Sequence, residues 1–198
     1  NVVTEITEFK SDNWFDGHFR EIMGDDRIDF AKTVTFLQPE EKKSDNPFFE
    51  EEKGLDYKFI KDHYHQSYWG RMVSWRGEFN QIENVIKILS TGKAVKRCEL
   101  IIFDPTKDAR NPYSQPCMCM IDLKPRNGKL YLTSVLRSNR VSKSGYADYT
   151  ALTEMGQFLA EQSGLELGKV TTLACSCHIG DMDNEKKKTI KLLEVLNR

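Results

Sequence analysis

Apolar residues recur in this chain with two periods, and the changes between them mark out the elements. Between Asn80 and Leu89, the residues Ile82, Val85, Ile86 and Leu89 fall three and four apart. That is the spacing of one helix face, and Gly92 follows where a C-terminal cap belongs. Glu99 to Phe103 is a short apolar run suited to a strand. Met118 to Leu123 and Lys129 to Leu136 read as two strands joined by Pro125-Arg126-Asn127-Gly128. Asn-Gly in such a place signals a hairpin, because both residues tolerate positive φ. Ala147 to Gln162 is expected to be a helix with Ala151, Leu152, Met155 and Leu159 along one stripe, closed by Gly164. Val170 to Cys177 reads as another strand and Glu185 to Leu196 as a last amphipathic helix. Together these elements predict an α+β fold: a mostly antiparallel twisted sheet with helices packed against it.

Two stretches break the pattern. Gln38 to Gly54 carries Pro39, Pro47 and a dense mixture of charges, and is expected to be the most mobile part. Asp104 to Pro116 contains Asp-Pro, Asn-Pro and Gln-Pro steps, which disfavour helix. Neither separates halves that could each bury a core. Residues 1–198 are therefore expected to form one domain.

Composition narrows the function classes. With 39% hydrophobic and 30% charged residues, this is the make-up of an ordinary globular protein. The formal net charge is -1, so no global basic field points to nucleic acid. A small anionic ligand needs only two or three local donors and remains open. No run of about 18 apolar residues occurs, so no membrane span is expected. Asn1 to Lys10 holds no signal-peptide apolar stretch. The cysteines number five, which suits a reducing cytoplasm better than a disulfide framework.

Candidate chemistry centres on Cys117, which follows a proline-rich loop and opens a strand in Gln-Pro-Cys-Met-Cys-Met. A cysteine at such a junction is open to a ligand, and nearby cations would favour its thiolate. The plain alternative is a buried small hydrophobe. Cys117, Cys119, Cys175, Cys177 and His178 also raise the question of zinc. Cys-x-Cys is poor zinc spacing, however, because ligands around a tetrahedral ion need a turn between them. No metal is expected.

The spacing around Cys117 carries more. Arg97 lies twenty positions before it, and Arg137-Ser138 begins twenty positions after it. There follow a long helix, Gly164-Leu165-Glu166-Leu167-Gly168, and a strand ending at His178. This succession resembles the thymidylate synthases and the related deoxycytidylate hydroxymethylases, over about residues 68 to 180.

The resemblance implies a thymidylate synthase-like fold and roles for particular residues. Cys117 would be the thiol that adds to C6 of a pyrimidine, and Arg137 and Ser138 would hold the phosphate. Arg97 would reach the phosphate of a neighbouring subunit, which makes a homodimer the expected state. His178 would hold the sugar, and Asp148 falls where the family reads the base. Trp69, in Tyr68-Trp69-Gly70-Arg71, would lie near the base. The implied ligand is a pyrimidine nucleoside monophosphate, the implied one-carbon donor 5,10-methylenetetrahydrofolate, and the activity methylation or hydroxymethylation at C5. Each residue has a plainer alternative. Arg137 can be a surface arginine, His178 a strand-end histidine, and Asp148 the cap of its helix.

Departures from the family pattern set a second expectation beside the first. Its Arg-Thr-Gly-Thr-Gly loop and Glu-x-x-Trp-Phe helix are absent, and Glu50, Glu51 and Glu52 are candidates for the general base by chemistry only. Arg140 stands where the family has a folate-holding aspartate, Ser144 where it has glycine, and Gly180 where it has tyrosine. The sequence ends at Arg198, without the family's C-terminal tail. A nucleotide-binding module or partner subunit without catalysis is the alternative these losses suggest.

Overall fold

The computed structural model describes residues 2–6, 67–93, 96–110, 115–179 and 183–196. Gln38 to Gly54, with Glu50, Glu51 and Glu52, lies outside them.

The hairpin forms where Asn-Gly placed it. β3 (Met118–Arg126) and β4 (Lys129–Leu136) are antiparallel, and Asn127 and Gly128 between them take φ of 52° and 75°. Both turn residues at positive φ give the twist that lets two right-twisted strands close on a two-residue loop. β2 (Glu99–Ile101) pairs antiparallel with β3. On the other side of β4 runs β6 (Glu166–Ala174), parallel to it, and β1 (Val2–Ile6) closes that edge antiparallel. The five-stranded order is β1-β6-β4-β3-β2, so three of its four pairings are antiparallel.

The parallel step follows from what joins β4 to β6. The chain passes through β5 (Asn139–Arg140), one π-helical turn (Val141–Gly145) and helix α3 (Tyr146–Gln162). A helix between two strands returns the chain to the starting edge, which makes the strands parallel. Gly164, at φ 70°, turns the chain out of the helix. The strand expected at Val170 already begins at Glu166, because parallel pairing with β4 starts at Lys129 opposite Glu166. It also stops at Ala174; Cys177 and His178 form a separate short strand, β7, paired with β5.

Alternation along the strands assigns the faces. Leu130, Leu132 and Leu136 of β4, Leu123 and Ile121 of β3 and Val170 of β6 are buried against Leu152, Met155 and Leu159 of α3. Helices α1 (Tyr68–Val73) and α2 (Gln81–Leu89) add Met72, Ile82, Val85 and Leu89 to the same core. Gly156 lets α3 come down on the sheet, since a Cβ there would stand 3.1 Å from a Leu167 methyl. Tyr131, Ile101 and Val3 are exposed on strands of this sheet. Helix α4 (Asp183–Leu196) is last, with Ile190 and Leu193 exposed. Among the described residues no helix is long and apolar enough to cross a membrane.

Met118 and Ile121 are both fully buried although three apart, which strict alternation forbids. A bulge between Met118 and Met120 resolves this. The extra residue is Cys119, whose carbonyl accepts from the amides of both Ile102 and Phe103, at 2.9 and 3.0 Å. A bulge bends its strand and re-aims what precedes it, and what precedes this one is Cys117.

Candidate functional site

Strand ends bring the site together. Cys117 sits just before β3, Arg137 just after β4 and Cys175 just after β6. The Arg137 amide donates to the Cys117 carbonyl at 2.8 Å, and the Cys175 amide to the Leu136 carbonyl at 2.9 Å. The Leu136-Arg137 peptide is thus held from both sides. Arg137 then folds back over the loop that leads to Cys117. Its Nε donates to the Pro116 carbonyl at 2.9 Å and its Nη2 to the Gln115 carbonyl at 2.8 Å. The side chain is otherwise exposed, so other guanidinium donors remain toward solvent.

Tyr68 approaches from the helix side. Ser67 caps α1 by accepting from the Gly70 amide at 2.9 Å, which makes Tyr68 the first helical residue. Burial pushes the phenol well above the usual tyrosine range; the Asp148 carboxylate and then the Cys117 thiol push it further. Hydrogen bonding with the Met118 and Cys117 backbone works the other way. Thiol, phenol and carboxylate therefore form one cluster, and the phenol holds its proton through the neutral range. Asp148 is 7% exposed, in the first turn of α3, on the side that carries Ala151 and Leu152. A carboxylate so placed faces protein rather than water.

Trp69, which the resemblance set near the base, has its indole 4% exposed within the core, edge-on to Phe158 of α3 with centroids 6.5 Å apart. Trp69 and Met72, three apart, take the core side of α1, and Tyr68 is the residue of this segment that faces Cys117. The signal was Ser67, a cap that fixes the helical phase and with it the side each residue takes.

The remaining candidates divide. Ser138 is half-buried in the turn between β4 and β5. His178 is exposed on β7, in register with Arg140 of β5. Asn139, buried in β5, donates from Nδ2 to the Tyr149 hydroxyl at 3.1 Å and ties this small sheet to α3. Arg97 is elsewhere. The carbonyl of its neighbour Cys98 accepts from the Leu123 amide at 2.8 Å. That point is six residues along β3 from Cys117, roughly 20 Å at 3.3 Å per residue. Within one protomer Arg97 is not part of the Cys117 cluster.

The other thiols differ from Cys117 in setting. Cys98 is buried, and burial pushes its thiol up to about 11. Burial also raises Cys119, against the opposing hydrogen bond and charge of Arg137. Cys175 is exposed. No three His, Cys, Asp or Glu side chains among the described residues come together as a metal-binding group.

Comparison with known proteins adds the family. The thymidylate synthase family model matches residues 30–194, further in both directions than the motifs reach. A protein of Methanococcoides burtonii named "Putative thymidylate synthase" is 33% identical over 126 residues, 63% of this chain and 58% of that protein. One of Methanosarcina mazei with the same name is 32% identical over 117 residues, 59% of this chain and 54% of the relative. A third, from Methanothermobacter marburgensis, is 27% identical over 152 residues, 76% of this chain and 63% of its own. The chain thus spans little more than half the length of such relatives.

Proposed function

Because the chain belongs to the thymidylate synthase family, we propose that it activates C5 of a pyrimidine nucleoside monophosphate by adding the Cys117 thiolate to C6. The observation that carries this reading is the cluster of Cys117, Tyr68 and Asp148 beside the Arg137 guanidinium. Sulfur donates a pair to C6, and the C5–C6 π electrons move toward C5 and the C4 substituent. C5 becomes nucleophilic toward a one-carbon electrophile; loss of the C5 proton and expulsion of the thiolate restore the ring. Tyr68, kept neutral by burial and by Asp148, would act as a proton donor to the ring. Arg137 and Ser138 would hold the phosphate, His178 the sugar and Asp148 the base.

Asp148 favours cytosine. A carboxylate accepts from N4, and a proton shared with N3 supplies a second bond, whereas uracil would set its O4 lone pairs against it. Methylation and hydroxymethylation both begin with the same addition.

5,10-Methylenetetrahydrofolate is the donor that family membership suggests. Arg140 does not fit it: a guanidinium only donates, and it stands where the family has an accepting aspartate. The same replacement supports a second reading, a nucleotide-binding module or partner subunit without catalysis.

A homodimer is proposed on two grounds. Exposed Tyr131, Ile101 and Val3 leave apolar surface on the sheet, and Arg97 is remote from Cys117 of its own chain. One domain is proposed for residues 1–198, with β1 seated beside β6 in the sheet that carries the site. Exchange of the C5 hydrogen of dCMP or dUMP for solvent deuterium tests the function without a one-carbon donor. Exchange that needs Cys117 supports the enzyme; nucleotide binding without exchange supports the module.

A further inference from the structure

We infer that Arg71 is a positioning residue: its clasp on Asp108 holds the Tyr68 phenol against Cys117. Helix α1 has six residues, far fewer than the roughly 12 to 15 at which isolated helices become even marginal in water. Its placement therefore comes from side-chain anchors. Ser67 caps it, and Trp69 and Met72 seat it in the core. Arg71, one turn beyond Tyr68, ties it to Asp108 and to the Ile102 carbonyl.

That tie is planar and bidentate. Nη1 donates to Asp108 Oδ2 at 2.6 Å and Nη2 to Oδ1 at 2.9 Å, while Nη1 also donates to the Ile102 carbonyl at 2.9 Å. The two side chains are 13% and 5% exposed, so water competes little for either. Three bonds to a flat fork fix orientation as well as distance.

Asp108 is held in turn. Its Oδ2 accepts from the Asp104 amide at 2.7 Å, and Asp104 is gripped by Arg76 through Nε and Nη2 at 3.1 and 3.0 Å. From the other side the Gln81 amide donates to the carbonyls of Arg71 and Ile101, at 3.0 and 2.9 Å, and accepts from the Ile101 amide at 2.8 Å. Helix α1, edge strand β2 and the turn at Asp108 thus form one braced corner. Arg137 braces the loop again at Gln115 and Pro116. Ile102, whose carbonyl Arg71 holds, donates its amide to the Cys119 carbonyl, two residues from Cys117. Cys117 and Tyr68 therefore share this frame, and their separation depends on the Arg71–Asp108 joint.

The inference rests on the C5-addition reading, and its test separates the two. Arg71→Lys, Arg71→Met and Asp108→Asn would be assayed for C5 exchange on dCMP, for dCMP affinity and for alkylation of each cysteine by iodoacetamide. Loss of the joint should lower kcat for exchange about tenfold, less than the roughly hundredfold that a full 1 Å misplacement can cost. Affinity should stay within about twofold, because the phosphate grip is untouched. Cys117 should be alkylated roughly threefold faster as the phenol leaves it, with Cys98 still protected. Arg71→Lys, which keeps the charge but loses the fork, should fall between wild type and Arg71→Met. Folded variants with unchanged exchange and unchanged Cys117 labelling would overturn the inference, as would Cys98 labelling that rises in step with Cys117. If Arg71→Met fails to fold, Asp108→Asn, which keeps the shape and one acceptor, decides. If wild type shows no exchange at all, the C5 reading fails, while the Cys117-to-Cys98 labelling ratio still decides the role of Arg71.

Discussion

Arg137 holds the peptide on both sides of the Cys117 residue it is expected to serve. Its amide donates to the Cys117 carbonyl at 2.8 Å, and its guanidinium takes the carbonyls of Pro116 and Gln115 at 2.9 and 2.8 Å. A phosphate arriving at the exposed face of this guanidinium would meet a cation already fixed in place. Under the proposed function, binding of the nucleotide and orientation of the thiol would share one side chain.

The first expected outcome concerns thiol reactivity. Cys117 is half-buried at a loop end beside a cation, whereas burial suppresses ionisation of Cys98 and Cys119. Alkylation at neutral pH followed by peptide mapping should label Cys117 well ahead of Cys98 and Cys119, with the exposed Cys175 as the comparator. Pyrimidine nucleotide should protect Cys117 and leave Cys175 unchanged. Labelling of Cys175 alone would remove Cys117 from the proposed chemistry.

Base preference is a separate matter, which the proposed function assigns to Asp148. An unpaired buried polar group costs about 1–3 kcal/mol, so dCMP should bind roughly 5- to 150-fold tighter than dUMP. Asp148→Asn should shift that preference toward dUMP and leave the phosphate contacts intact. Calorimetric titration of both proteins with both nucleotides measures this. Equal affinities in wild type would return Asp148 to the role of a buried helix-end carboxylate.

The dimer can be tested through complementation. Arg97 lies along β3, away from Cys117 of its own chain, so the phosphate role proposed for it needs a second subunit. Mixing Arg97→Ala and Cys117→Ala subunits should recover one intact site per heterodimer and with it part of the exchange activity. Tyr131→Lys, on an exposed position of the sheet, should give monomers by sedimentation. Dimers that persist in this variant, with no recovery in a verified heterodimer, would count against the shared site.

Stability on the alkaline side follows from Cys98. Burial pushes its thiol up to about 11 in the folded protein, above the ordinary range of a free thiol. A raised value means the contribution is full below the unfolded value and is lost as pH rises toward the folded one. Urea midpoints should therefore fall between about pH 9 and about pH 11, as the unfolded chain alone gives up this proton. Cys98→Ala should be less stable at neutral pH, because a buried side chain is lost, yet show a shallower decline across that window. Tyr68 adds to the decline only above about pH 10, the ordinary phenol value. An unchanged slope in Cys98→Ala would assign the alkaline loss elsewhere.

The sequence by itself determined whatever depends on neighbours in the chain. Period fixed the stripes of α2 and α3, and Asn127-Gly128 fixed the hairpin, because turn geometry and amphipathic spacing are local properties. The intervals from Arg97 through Cys117 to Arg137 carried the family. Tertiary structure decided what depends on which surfaces meet. The strand expected at Val170 begins at Glu166, since pairing with β4 supplies its partners and propensity alone does not. The bulge at Cys119 appears only in the pairing of β3 with β4, where the amides of Ile102 and Phe103, just beyond β2, share one carbonyl. Trp69 goes to the core and Tyr68 to the thiol, because the phase of a six-residue helix is set by a cap and by the side that finds apolar neighbours. The clasp of Arg71 on Asp108 joins residues thirty-seven positions apart, and no local period encodes such a pair.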